Sequence, residues 1–173
     1  AAIQEVTLQR VKLDRIDRHI LRDLQDNGRM TNVELSNRAG ISAPPCLRRV
    51  RALEEAGYIK GYHAELAGEL LDFRETFFAL VGLDSQSQTV LMAFEEHMDN
   101  WPEVRKCHMI RGGGDFLLKV VARDKAHRDA LTMGITAAPH VTTVTTFETI
   151  RTSKDVPGVP IDVNVVDGDD PAP

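Results

Sequence analysis

Apolar positions between residues 14 and 57 recur every three to four residues in three short blocks, each followed by a glycine. This is the spacing of one buried helical face repeated three times. In LDRIDRHILRDLQDNG, Asp14 is a suitable N-cap, Ile16, Ile20, Leu21 and Leu24 share a face, and Asn27 and Gly28 close the helix. In TNVELSNRAG, Thr31 with Glu34 three residues on spells a capping box, and Gly40 ends a short second helix. Ser42 can cap a third, with Pro44 and Pro45 tolerated in its first turn because early helical N–H groups have no intrahelical partner. That helix points Cys46, Leu47, Val50 and Leu53 inward and stops at Gly57. YIKGYHAEL then supplies β-forming residues around Gly61 and predicts a two-stranded wing.

The pattern changes after a weakly ordered joint, LAGELLDFRE, which sets a boundary over residues 64–74. TFFALVGLD is an apolar run suited to a buried strand, and SQTVLMAFEEHMDNW carries a helical stripe of Val90, Leu91, Phe94 and Met98. VRKCHMIRG and FLLKVVAR read as strands joined by the turn GGGD. DKAHRDALTMGIT reads as a helix capped by Asp124, and VTTVTTFETIRTS as a closing strand. The predicted fold class is therefore α+β: an N-terminal winged helix-turn-helix over residues 12–63, the linker, and a ferredoxin-like βαββαβ domain over 75–153. In that arrangement two helices cover one sheet face, and the other awaits a second copy, which implies a homodimer. Residues 154–173, with prolines and a terminal acidic cluster, predict an extended or disordered tail.

Composition sharpens the two-part picture. The 173-residue chain has a formal net charge of -5. Yet residues 1–62 hold 11 Lys and Arg against 8 Asp and Glu, leaving -8 for the remainder. A basic first third on an acidic remainder points to one part that meets a polyanion and another with a different task. Two cysteines in dissimilar segments argue against a disulfide framework or a structural zinc site. Nothing in the sequence reads as a membrane helix or signal peptide, which predicts a cytoplasmic protein.

The basic residues fall where a helix-turn-helix would display them. Arg48 and Arg51 lie off the apolar stripe as candidate DNA contacts, whether to phosphate or to bases, and Arg49 lies nearest the stripe as the candidate for a structural bridge as well as for DNA. Ser42, Ala43 and Pro44 stand at the helix start, where short side chains allow close approach and helix amides favour phosphate. Arg38 reaches from the turn. Pairing of these arginines with Glu54 and Glu55 as solvated surface charges is the competing reading.

LDRIDRHILRDLQDNGRM, NVELSNRAGIS and CLRRVRALEEAGYIKGY follow in order and spacing the N-terminal signature of the Lrp/AsnC, or feast/famine, transcription regulators, and the chain resembles that family over roughly residues 12–155. The resemblance implies a regulator rather than an enzyme, without cofactor, binding double-stranded DNA as a homodimer that can assemble into tetramers or octamers, and sensing a small amino acid at its C-terminal domain. In HMIRGGGDFLLKV, Gly112, Asp115 and Phe116 match the family's ligand-responsive run, while Arg111 replaces a small hydroxyl residue and Gly113 and Gly114 fill variable positions. Met109, Gly112, Gly114, Asp115 and Phe147 are the effector candidates, with Asp115 expected to accept from the ligand's ammonium. A hairpin turn needing glycines would explain the same run structurally. Two other functions compete: an architectural protein that bends or wraps DNA with little effector response, and a sensor whose N-terminal domain docks on protein.

Overall fold

In the computed structural model, which describes residues 12–165, the chain forms two compact units. One is Leu66–Ser153; the other joins residues 12–65 to residues 154–165.

The helical unit contains α1 (Arg15–Asp26), α2 (Asn32–Ala39) and α3 (Ala43–Glu55). Their boundaries follow from local chemistry. Asp14 caps α1 by accepting from the Asp17 N–H, and Asp17 returns the bond to the Asp14 N–H, a capping box built from two aspartates. Thr31 and Glu34 form the same reciprocal pair at α2. Gly40 ends α2 at φ 70°, a left-handed conformation that costs glycine little, and the Ile41 N–H then reaches back to the Ser36 carbonyl. Ser42 holds the N-cap position of α3 without making a side-chain capping bond. Ile20, Leu35, Cys46 and Leu53 form the small core, with Val50 packed against it. Leu47, expected inside, is 39% exposed: α3 is covered over a narrow arc, and Leu47 lies beyond its edge.

The expected wing does not form a ladder. Residues 58–66 run without strand pairing, because a two-stranded ribbon with nothing packed on it is marginal. Instead the segment folds back on α3. The Tyr58 N–H donates to the Leu53 carbonyl, and the Tyr62 hydroxyl donates to Glu54 Oε1 at 2.9 Å.

The second unit opens with a 3-10 turn, Gly68–Leu71, inside the expected linker. Then follow β1 (Glu75–Leu83), α4 (Gln88–Asp99), β2 (Val104–Met109), β3 (Phe116–Ala122), α5 (Lys125–Thr136) and β4 (Val141–Glu148). The strands pair antiparallel in the order β2-β3-β1-β4, as the βαββαβ pattern predicts. Alternation sorts the faces. Phe77, Ala79 and Val81 of β1 and Phe116, Leu118 and Val120 of β3 are fully buried under Phe94, Met98, Leu131 and Ile135 of the helices. On the other face, Phe78 stands opposite Phe147 and Leu80 opposite Thr145. Phe147 is 52% exposed there. Arg128 of α5 ties that helix to the start of β1 and the end of β4, pairing with Glu75 at 3.4 Å and also with Glu148.

Beyond β4 the chain is extended and mostly exposed to residue 165, and residues 166–173 of the predicted tail lie outside the described residues. The segment is anchored: Gln25 of α1 donates to the Val159 carbonyl at 2.8 Å and accepts from the Val159 N–H at 3.0 Å.

Candidate functional site

The first candidate surface is the α2–turn–α3 element. Asn32 at the start of α2 donates to the Ala43 carbonyl at 2.8 Å, fixing the beginning of α3 against α2. Sequence reading missed this residue, because a bond across eleven positions leaves no periodic signal. On the element so fixed, Arg38, Ser42, Pro44, Arg48 and Arg51 are exposed, with Ala43 partly buried. Arg48 and Arg51 form no ion pair among the described residues, and Glu54, their expected neighbour, accepts from Tyr62 instead.

Arg49 is placed differently. Its guanidinium lies 2.8 Å from Asp14 and 2.7 Å from Asp17, so it bridges α3 to the capping box of α1. The hydrogen bond it donates to Asp17, outweighing burial, raises its pKa further and keeps it charged. Burial alone would raise the Asp14 pKa, but the Asp17 N–H and the Arg49 cation together hold it below the ordinary carboxylate value. This geometry assigns Arg49 a bracing job. The start of α3 also offers fewer amide donors than a usual helix N-terminus, since Pro44 and Pro45 in its first turn carry no N–H. Anion affinity on this surface therefore rests on side chains.

The second candidate is a cavity of about 340 Å³ at the β2–β3 turn, lined by Gln86, Leu91, Met109, Ile110, Arg111, Gly112, Gly114 and Asp115. Four of the five expected effector residues line it. Phe147 does not, because β4 carries it onto the sheet face away from the helices. Gln86, Leu91 and Ile110 join the lining by tertiary packing that the sequence does not signal. The glycines differ in purpose. Gly112 has φ 133° and open space around it, whereas a methyl at Gly114 would come within 2.9 Å of Leu80 and 3.0 Å of the Val81 carbonyl. Asp115 is engaged: Oδ2 accepts from the Leu83 N–H at 2.7 Å and Oδ1 from Gln86 at 2.9 Å, while its own N–H donates to Val81 at 2.8 Å. It pins the turn to the end of β1, so its expected ligand role is added to a structural one. Each carboxylate oxygen retains a lone pair that can accept a further donor.

Thiol and metal chemistry find no support. Cys107 packs on the helix side, and His108 is exposed on the neighbouring strand position. Burial, with Glu95 and Asp99 nearby, pushes the Cys107 thiol up to about 11, which keeps it protonated and unreactive. Burial likewise raises Cys46. Among the described residues no group of three or more His, Cys, Asp or Glu could hold a metal ion, and no helix is long and apolar enough to cross a membrane.

An exposed basic helix on a capped helix-turn-helix, followed by a ferredoxin-like unit, agrees with what known proteins show. Residues 13–60 match the family model for winged helix-turn-helix DNA-binding, and residues 76–159 match that for the Lrp/AsnC ligand binding domain. The leucine-responsive regulatory protein of Rhizobium meliloti is 52% identical over 147 residues, covering 84% of this chain and 94% of that protein. The chain belongs to the Lrp/AsnC family. The leucine-responsive regulatory protein of Escherichia coli K12 is 40% identical over 136 residues, 78% of this chain and 83% of its own. Among solved structures, a transcriptional regulator of Neisseria meningitidis in complex with L-Met superimposes with a TM-score of 0.81 at 32% identity, over 86% of this chain and 96% of that one. An AsnC family regulator from Agrobacterium tumefaciens gives a TM-score of 0.82 at 31% identity, over 88% and 100%. This chain is accordingly a DNA-binding transcriptional regulator with a C-terminal ligand-binding domain, and its α+β fold is that of the family.

Proposed function

We propose that the protein binds operator DNA as a homodimer through α3, with Arg48 and Arg51 as the principal contacts, Arg38, Ser42, Ala43 and Pro44 as flanking ones, and Arg49 as a brace. The observation that carries this reading is the division of labour on one helix: Arg49 is held by two aspartates, while Arg48 and Arg51 stand exposed without an acidic partner among the described residues. Cations displayed without a local counter-charge release counterions on meeting phosphate, which is the main source of DNA affinity. Two such heads in a dimer reach successive major-groove faces.

The effector is a small amino acid held at the β2–β3 turn. Arg111 suits its carboxylate, the remaining acceptor capacity of Asp115 suits its ammonium, and Leu91, Met109 and Ile110 offer an apolar wall. The L-Met complex of the Neisseria meningitidis regulator supports this choice of ligand class. The ligand alters regulation by binding two states of the dimer with different affinity. A thermal-shift screen of the full chain against the twenty amino acids, beside selection of bound genomic fragments, tests both halves. A ligand specific to the folded form adds about 2.7 kcal/mol at a hundredfold excess over its dissociation constant. An apolar amino acid should raise the melting temperature. Selected fragments without a shared motif would remove the operator reading.

A further inference from the structure

The last described residues carry an arrangement that neither DNA binding nor effector binding uses. The chain leaves the helical unit after Glu65, builds Leu66–Ser153, and returns to the helical unit from Lys154. There the side-chain amide of Gln25 pairs with both backbone groups of Val159, donating at 2.8 Å and accepting at 3.0 Å, as a neighbouring β-strand would. Gly158 fits this clasp for two reasons. Its φ is 74°, and a methyl group there would collide with the amide oxygen of Gln25. Alongside runs a cavity of about 480 Å³ whose walls include Leu21, Leu24, Tyr58 and Ile59 of the helical unit together with Pro160 and Ile161 of the returning segment. The contact is slight, for Val159 remains 65% exposed. A segment held by one bidentate hydrogen bond and a few apolar contacts stays mostly closed but opens more readily than a core element, which is the property of a latch.

We propose that residues 154–165 are a C-terminal latch, closed by Gln25 on Val159, that gives the DNA-binding unit a second tether to the ligand-binding unit. With the latch closed, the helical unit is attached through both of its chain passages; with it open, only the passage at residues 65–66 remains. Tether number and length fix the effective concentration at which the second head of a dimer meets its half-site, so the latch sets how strictly the protein reads half-site spacing. This inference rests on the operator-binding reading above.

The test uses the full chain as wild type, Gln25→Glu, which sets an oxygen against the Val159 carbonyl, and Gly158→Ala, which attacks the clasp from the other side. Amide hydrogen exchange at Val159 reports the latch directly. Affinity for a DNA fragment selected by the wild-type protein, and for the same fragment with five base pairs inserted between its half-sites, reports the consequence. Five base pairs turn one half-site to the opposite side of the duplex. The wild type should protect the Val159 amide and lose about tenfold or more in affinity on the insertion, whereas both variants should exchange rapidly and lose less than about threefold. Fast exchange at Val159 in the wild type overturns the latch, and equal sensitivity to the insertion in all three proteins overturns its role. Absence of fragment binding by the wild type would overturn the operator reading, and the tethering role with it, while the Val159 exchange still decides whether the latch exists.

Discussion

Three arginines within four positions of α3 are placed differently, and separate measurements test the roles proposed for them. Arg48→Ala and Arg51→Ala should leave the melting temperature nearly unchanged and weaken operator binding, since both side chains are exposed without an ion-pair partner among the described residues. For each that contacts phosphate, the slope of log affinity against log salt should flatten by about one. Arg49→Ala should do the reverse first. It leaves Asp14 and Asp17 facing each other without their cation, costing about 1 kcal/mol and lowering the melting temperature by about 4–8 °C if the helical unit unfolds separately. Thermal melts and salt-dependent DNA titrations on the three variants decide it, and an Arg49→Ala protein as stable as wild type would remove the brace. The bridging position of Arg49 was partly legible in the sequence, because it lies nearest the apolar stripe. Its partners were not, since they stand 35 and 32 positions away. Asp115 shows the same limit: the resemblance marked the residue, but its bonds to Leu83 and Gln86 depend on how the turn packs on β1. Asp115→Ala should therefore destabilise the ligand-binding unit by about 1–3 kcal/mol as well as blunt any effector response, seen as a lower denaturation midpoint without ligand.

At the scale of the element, what is encoded locally could be read and what is encoded by neighbours could not. Asp14, Thr31, Ser42 and Asp124 each stand at the N-cap position expected of them, because a helix start is set by residues within a turn of one another. The wing needed a partner strand, and the returning tail needed Gln25, 134 positions distant, so neither outcome could follow from pattern alone. The caps are not equal. Thr31 accepts from Glu34 whereas Ser42 makes no capping bond, so Thr31→Ala should cost about 1 kcal/mol while Ser42→Ala should leave stability unchanged. Urea midpoints compare them directly. Asp14 adds a pH dependence of known sign. Its folded pKa lies below the ordinary value, so its charged form stabilises the fold above about pH 3.9, and this contribution disappears as the pH falls through the lower folded value. The side chain is half-exposed, and solvent screening keeps the gain below about 1 kcal/mol. Asp14→Asn, which retains a capping oxygen, should be less stable than wild type at pH 6 and approach it near pH 2.

The sequence divides its charge unevenly: residues 1–62 carry the basic excess, and the acidic remainder opposes indiscriminate contact with polyanions. The ligand-binding unit poses the remaining physical problem. Its sheet packs one face under α4 and α5, with β1 and β3 fully buried there, but the opposite face carries Phe78, Leu80, Leu117, Val121 and Phe147, all at least partly exposed. Apolar area of this kind is stabilised by association, and a second copy offers the same face with two-fold symmetry. Residues 66–153 contain every strand and both helices of the unit together with its core, so the fragment should fold alone and sediment as a dimer at micromolar concentration. Phe147→Lys sets a charge on that face at the edge strand β4 without touching the buried one, and should shift the fragment to monomer while its far-ultraviolet circular dichroism stays the same. A wild-type fragment that folds but remains monomeric would move the dimer contact away from the sheet, and a Phe147→Lys fragment that still dimerises would move it away from β4.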